Sequence, residues 1–408
     1  MFPEFSEDYV YLDYAATAPL CHAAAKAMEP YFVDGPANLA AGGNANSLHA
    51  PGRAAFAALE QARRDIAHDV GARRPDEIVF TGGATEADCA AVLGMAHAAT
   101  AERRRRGARD FTPRIVTSAI EHDAVLKPAR RLEQEGYRVT RLAPNRQGFV
   151  EPAALAAALD EDTVLVSIQA ANSEVGSVQQ VAEMARLAHA AGSLMHVDAV
   201  QALGKIPVDV GAWDVDAASF SAHKIGGPKG VGALYLKART PFEAQMLGGG
   251  QEAGRRSGTQ NVAGAVGFAA ACRWACEPSP SGGGEPRWSA SLRFLRDSLY
   301  EELAQIEGVE PTVEVPAGSL DYLPNIVNVL VRGMESETLI LRLDQRGFGV
   351  SGGSACSSRS LDPSHVLLAM GVSADRALGA LRVSMGADTE KWQVEAFVRA
   401  LREVVGQS

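Results

Sequence analysis

The sequence has no run approaching the ~20 consecutive apolar residues that a bilayer-spanning helix requires, so no membrane-embedded segment is expected. Its opening, MFPEFSEDYVYLDY, carries neither a basic head nor an apolar core, and no secretory signal is expected from it. Only five cysteines occur in 408 residues. That odd, sparse set excludes a disulfide framework and points to a reducing, cytoplasmic compartment. Cys272 and Cys276 lie four apart on an expected helix, with no further Cys or His at ligand spacing, so they read as core and no metal site is expected. Positive charge is scarce as well. With 39 Lys+Arg against 49 Asp+Glu the net charge is −10, which argues against nucleic acid or an anionic membrane as a direct partner. The one basic run, Arg103 to Arg106, has no aromatic platform and reads as a solvated helix end favoured by the helix dipole. There is no GxGxxG, no P-loop and no internal repeat.

What remains is a chain long enough for two domains, each with its own core. From about residue 53 to 270, short apolar runs alternate with Ala-rich segments of helical period, such as AAFAALEQARRDIAHDV and VAEMARLAHAAG. The runs at 78–80, 115–117, 164–166, 194–197, 217–220 and 232–235 read as buried strands. The alternation implies an α/β architecture, a largely parallel sheet with helices on both faces. Ligands of such sheets sit beyond the carboxyl ends of the strands. The segment EPSPSGGGEPRW (277–288) is the clearest composition break and reads as a domain connection or exposed loop. Beyond it come a helix, a strand at 326–331, a helix near 336–346, a Gly/Ser loop and a terminal helix. That last helix carries an apolar stripe, Val394, Phe397, Val398, Leu401 and Val405, suited to the core or a dimer contact.

Five motifs fall where such a sheet would hold a ligand. TGGATEADCAAV follows the first strand and opens a helix: its glycines let the backbone approach a ligand, and Thr85 adds a hydroxyl to the free N–H groups of a helix start, a phosphate cradle. A plain Gly-rich helix cap explains the same residues. SFSAHK sets Ser221, His223 and Lys224 after a strand, where a desolvated lysine can act as an amine nucleophile. LMHVDAVQ ends a strand on Asp198, with Gln201 next; a buried carboxylate there needs a partner, which a protonated pyridine nitrogen or the next helix start supplies. TSAIEHDAVL places His122 between strand and helix, either a structural residue or a lid and proton carrier for a planar ring. In VSGGSACSS, Cys356 lies in a Gly/Ser run, a setting for a reactive thiol and not for a core one.

Taken in order, these motifs resemble the cysteine desulfurases, within the fold-type I class of pyridoxal-phosphate (PLP) enzymes. The likeness runs from YLDYAATAP (11–19) and GNANSLH (43–49) through TGGATE, EHDAVL, HVDAVQ, SAHK, GGGQEAGRRSGTQN and GSACSS to ALRVSMG (380–386). It implies a large domain (21–277) with a mostly parallel seven-stranded sheet, and a smaller α+β domain (1–20 and 278–408) that carries the cysteine loop. It further implies that Lys224 binds PLP covalently, Asp198 pairs with the ring nitrogen, Gln201 reaches the ring hydroxyl and His122 stacks on the ring. Ala84, Thr85, Ser221 and His223 would hold the phosphate, and Thr259 the phosphate of the other subunit of a homodimer. Arg382 would clamp the substrate carboxylate. Cys356 matches the nucleophile of the group I branch, which takes sulfur from L-cysteine, leaves L-alanine and hands the persulfide sulfur to an acceptor such as an iron–sulfur scaffold or a tRNA-thiolation enzyme.

Three positions depart from the family pattern. Ser173 stands where a second asparagine is usual, which shifts the expected ring or substrate contact to Asn172 or to water. Cys89 replaces a common Asn, and Arg359 a frequent Gly. Competing readings are another PLP enzyme of the same fold, either a small amino-acid aminotransferase or a selenocysteine lyase, and a non-enzymatic sulfur-handling scaffold. The first leaves the Cys356 loop idle. The second leaves a full set of reactive residues without use.

Overall fold

The computed structural model describes residues 9–107, 111–279, 284–353 and 362–406. Twelve strands run through it: β1 (Val10–Tyr11), β2 (Ile78–Thr81), β3 (Arg114–Ser118), β4 (Arg138–Leu142), β5 (Thr163–Ser167), β6 (Leu194–Asp198), β7 (Ala217–Ser221), β8 (Gly232–Leu236), β9 (Val309–Pro311), β10 (Ile326–Val331), β11 (Phe348–Gly349) and β12 (Ala380–Ser384). The expected seven-stranded sheet is present, in the order β2-β8-β7-β6-β5-β3-β4. The pairs among β7, β6, β5, β3 and β4 are parallel, while β8 is antiparallel to both its neighbours. Because β8 alone is reversed, the carboxyl ends of β2, β3, β5, β6 and β7 all face one way.

Why these segments become strands is plain from their surroundings. β2, β5, β7 and β8 are buried at every position, so continuous apolar or small residues suit them. β4 (RVTRL) was not anticipated. It is an edge strand, only its last residue is buried, and its arginines pair with acids outside the sheet, Arg138 with Asp162 and Arg141 with Glu133. The basic run also differs from expectation at its first member. Arg103 does not end in solvent: its guanidinium donates to the carbonyls of Glu161, Thr163 and Gly192, tying the helix Ala84–Arg105 to the start of β5.

A second, antiparallel sheet, β12-β10-β9, lies with the helices Ser289–Leu303 and Lys391–Gly406 over a separate apolar core. Val394, Phe397, Val398 and Leu401 belong to that core, and Phe397 meets Phe348 edge-on, so the stripe is internal. Val10 and Leu12 join the same core and carry the N-terminal strand to β11 and β12. The break at 277–288 is closed at its base. Ser279 and Arg287 donate backbone bonds to Glu285 and Glu277, and the Arg287 and Glu277 side chains pair at 2.9 Å.

One buried ion pair fixes the loop after β8. Glu252 accepts two bonds from the Arg63 guanidinium, at 2.6 and 3.0 Å, and a third from the backbone N–H of Phe80 in β2. Removing one partner strands a charge in the interior. Glu252→Ala is therefore expected to cost about 3–5 kcal/mol in urea unfolding. A loss below about 1 kcal/mol would mean that water compensates the arginine.

Candidate active site

A cavity of about 880 Å³ opens beyond the carboxyl ends of the parallel strands, within the range usual for small-ligand pockets. It draws on the TGGATE, EHDAVL, HVDAVQ and SAHK motifs. At the end of β2 the chain turns through Gly82 and Gly83 into the helix Ala84–Arg105. Gly83 has φ +149, a backbone setting that side chains rarely adopt, and nothing lies within 4 Å of where a Cβ would stand. Ala84, Thr85 and their first-turn N–H groups therefore face open space, an anion cradle by geometry. Glu86 folds back to accept from Gly82 N–H at 2.7 Å and pairs with Arg256.

Lys224, after β7, donates from Nζ to the carbonyls of Ala15 and Ala16 at 2.5 and 2.8 Å. His223 meets the Thr17 hydroxyl at 3.1 Å, and Gln201 donates to the Ala15 carbonyl at 3.0 Å. The segment from Ala15 to Thr17 thus lines the cavity and touches these three expected site residues. Burial, then the charges of Lys224, Lys229 and Lys205, hold the His223 imidazole down to about 4, so it is neutral at physiological pH. His122 caps the helix Asp123–Gln134: its Nδ1 accepts from Ala124 N–H at 3.1 Å, which leaves the proton of the neutral ring on Nε2.

Asp198 is buried at the end of β6, accepting from Val200 N–H at 3.0 Å. Burial raises its carboxyl, while that backbone bond and the His122 and Lys224 charges pull it back. Asp198 in turn acts on two further buried carboxyls. Asp88, one turn into the cradle helix, is raised well above the carboxylate range by burial and by Asp198. Glu121 is pushed up to about 8 by burial, against the Ser118 hydroxyl and the Gln169 backbone bond that favour its charged form. Beside Asp88 sits His196, wholly buried, with Ser167 Oγ on Nδ1 at 2.9 Å and Ser219 Oγ on Nε2 at 3.0 Å. Burial drives that imidazole down to about 3. Of these acids, Asp198 is the one whose burial is opposed by the Lys224 ammonium.

Arg382, on β12, is 1% exposed. Its Nη1 donates to the Ser173 carbonyl at 2.9 Å and its Nη2 to Asp13 Oδ1 at 2.8 Å. Ser173 lines the cavity; Asn172 does not. Asn172 corrects the expectation of a direct contact. Its Oδ1 accepts from the N–H groups of Glu174 and Val175 and its Nδ2 donates to Ile120, so the amide is spent on shaping the turn. Ser221 is buried on the wall. Thr259 is exposed on the loop after Gly258 and does not line this cavity. Cys89 does line it, half-buried, its thiol pushed up by burial and then by the Asp88 and Glu86 charges. Cys356 and Arg359 lie outside the described residues. The flanks of their loop sit beside the cavity: Ser351 exchanges backbone bonds with Arg382, and Ser364 donates to Glu174.

Sequence reasoning missed Asp13, Asp88, Glu121, His196 and Lys205. Lys205 is buried behind Lys224, donating to its backbone carbonyl at 3.0 Å, and burial lowers its ammonium to about 7. Asp88 was readable as one helical turn beyond Ala84, and His196 as the inward residue two before Asp198 in a strand.

The profile of the family described as Aminotransferase class-V matches residues 10–397. The chain is 42% identical over 401 residues to the cysteine desulfurase IscS of Pectobacterium carotovorum subsp. carotovorum, across 98% of this chain and 93% of that protein. A solved NifS-like protein matches with a TM-score of 0.84 at 33% identity, over 98% of this chain and 100% of its own. A structure of SspA in complex with cysteine matches at 0.75 and 30%, over 92% and 98%. The chain belongs to the class-V aminotransferase family, and its fold is that of fold-type I enzymes. Within that family its likeness is to the cysteine desulfurases.

The Glu121 shift has a sign that can be measured. Unfolded, the group ionises near 4.5; folded, near about 8. Between these values the folded chain holds the extra proton, so the group favours folding below the window and that contribution is lost as pH rises through about 8. Relative to Glu121→Gln, the wild type should lose on the order of 3 kcal/mol of unfolding free energy between about pH 5.5 and about pH 8. Parallel pH profiles in urea would show the carboxyl to be ionised throughout.

Proposed function

We propose that this enzyme is a PLP-dependent cysteine desulfurase, which takes sulfur from L-cysteine onto Cys356 and releases L-alanine. The observation that carries the reading is the meeting of Lys224, Asp198, His122 and Arg382, from four separate segments, in one cavity that is flanked by both ends of the Cys356 loop. Aminotransferase action or selenocysteine lysis uses the same cavity but gives the Gly/Ser-embedded thiol no task.

The residues fit the cofactor on their own chemistry. Gln201 Oε1 is buried and has no hydrogen-bond partner, as an atom waiting for a ligand hydroxyl would be. The turn at Gly83 leaves room for a phosphate, with Ala84, Thr85, Ser221 and His223 around it. Asp198 offers a buried carboxyl for a ring nitrogen, and the His122 ring lines the cavity wall. When bound, PLP supplies a sink for the electron pair left at the substrate α-carbon. Lys224, once its amine is released, takes the α-proton, and the carbonyls of Ala15 and Ala16 orient Nζ for that work. His122 presents Nε2–H for proton movement while Ala124 fixes its ring. Arg382 holds the substrate carboxylate. The Cys356 thiolate attacks the substrate sulfur: a sulfur–sulfur bond forms, the carbon–sulfur bond breaks, and its electron pair stays with the carbon that becomes the methyl of alanine.

The wider setting is part of the proposal. A homodimer is supported by the exposed apolar side chains Leu48 and Leu247, 90% and 83% exposed, on two loops joined by the Asn46–Gln260 bond. Thr259, on the second of these loops, is suited to reach the partner's phosphate. A sulfur-acceptor protein, whether an iron–sulfur scaffold or a tRNA-thiolation enzyme, and a cytoplasmic setting complete it; among the described residues no helix is long and apolar enough to cross a membrane. The division into a large domain (21–277) and a small one (1–20 and 278–408) is supported by the separate core of residues from 292 onward with Val10 and Leu12.

The purified protein should be yellow, and with L-cysteine and a reductant it should form sulfide and alanine in equal amounts. Cys356→Ala should keep the colour and lose at least about 100-fold in sulfide release, the scale of removing an activated nucleophile. A variant as active as the wild type would remove Cys356 from the mechanism.

A further inference from the structure

Arg382 does not wait bare for a substrate. Its guanidinium already carries the Asp13 carboxylate on Nη2 at 2.8 Å and the Ser173 carbonyl on Nη1 at 2.9 Å, while Nε has no partner. Two of the five N–H donors, one on each terminal nitrogen, are thus engaged, which restrains the plane of the fork. Asp13 cannot easily withdraw. Its carbonyl accepts from the Tyr11 hydroxyl and from Ala16 N–H, and its backbone is bridged to Ser384 on the same strand as Arg382. A carboxylate that arrives at Arg382 therefore shares the guanidinium with a resident one and meets a like charge close by.

On the reading that Arg382 receives the α-carboxylate of cysteine, we propose that Asp13 is a specificity-determining residue whose resident carboxylate sets how tightly the site grips that group. Substrate and product both carry it. Binding strength spent there is uniform between ground state and transition state, so a stronger grip would hold alanine back without speeding the chemistry. Asp13 weakens the grip on both while keeping the buried arginine compensated when the site is empty of substrate.

Asp13→Asn retains the oxygen that accepts from Nη2 and removes only the charge. In the holoenzyme, L-alanine binding can be followed by the change in cofactor absorbance, without turnover. The variant should bind L-alanine about tenfold more tightly, the scale of relieving one like-charge contact in a partly screened site. KM for L-cysteine should fall by a similar factor. Affinity for L-alaninamide, which has no carboxylate, should stay as in the wild type. Unchanged or weaker alanine binding would overturn the proposal, and so would an equal change for alaninamide, which marks a merely structural role. If Asp13→Asn does not fold, the wild type decides alone: its preference for alanine over alaninamide should be below about tenfold, and one above about a hundredfold would sink the idea. Sulfide formation without the Asp13→Asn shift removes this inference and keeps the desulfurase. The shift without sulfide formation does the reverse.

Discussion

The burial of the Asp198 carboxyl in the cavity wall is the constraint around which its neighbours are arranged. An ionised carboxylate in that position is costly unless its neighbours favour it. The adjoining acids, Asp88 and Glu121, are displaced toward their neutral forms, and the adjoining imidazole of His196 is neutral and held by two serine hydroxyls. Lys224, which opposes the effect of that burial, lines the cavity. The sheet makes this possible: β6 delivers Asp198 and His196 on the same alternation, β7 delivers Ser219, and the helix Ala84–Arg105 brings Asp88 one turn beyond Ala84.

The same sheet explains what the sequence made legible. Buried strands announce themselves by unbroken small and apolar runs, so the interior strands and the cavity at their ends could be read from the chain, as could the residues that end each strand. The polar edge strand β4 could not, because nothing buries its outward face and its arginines resemble loop residues. The reversal of β8 is also invisible: a run of five buried residues has no direction.

The site itself was legible where a motif carries its chemistry locally and opaque where chemistry depends on distant pairing. Lys224, Asp198 and His122 lie next to the turns that expose them. Asn172 is consumed by the N–H groups of Glu174 and Val175 and by the distant Ile120 carbonyl, and the neighbouring Ser173 gives its carbonyl to Arg382. Asp13 lies 369 residues from Arg382 in sequence, and only the bridge between the N-terminal segment and β12 brings them together. Long-range ion pairs of this kind leave no periodic trace in the chain.

The closed base of the 277–288 segment has a practical side. Glu277 and Arg287 hold the two ends of the segment together, and neither lines the cavity. Lengthening a loop whose ends are already clamped costs free energy only with the logarithm of its length. An engineer who wants to graft an affinity handle, a fluorophore or a tether to a surface onto this enzyme therefore has a port at which cargo can be added while the reacting groups keep their places.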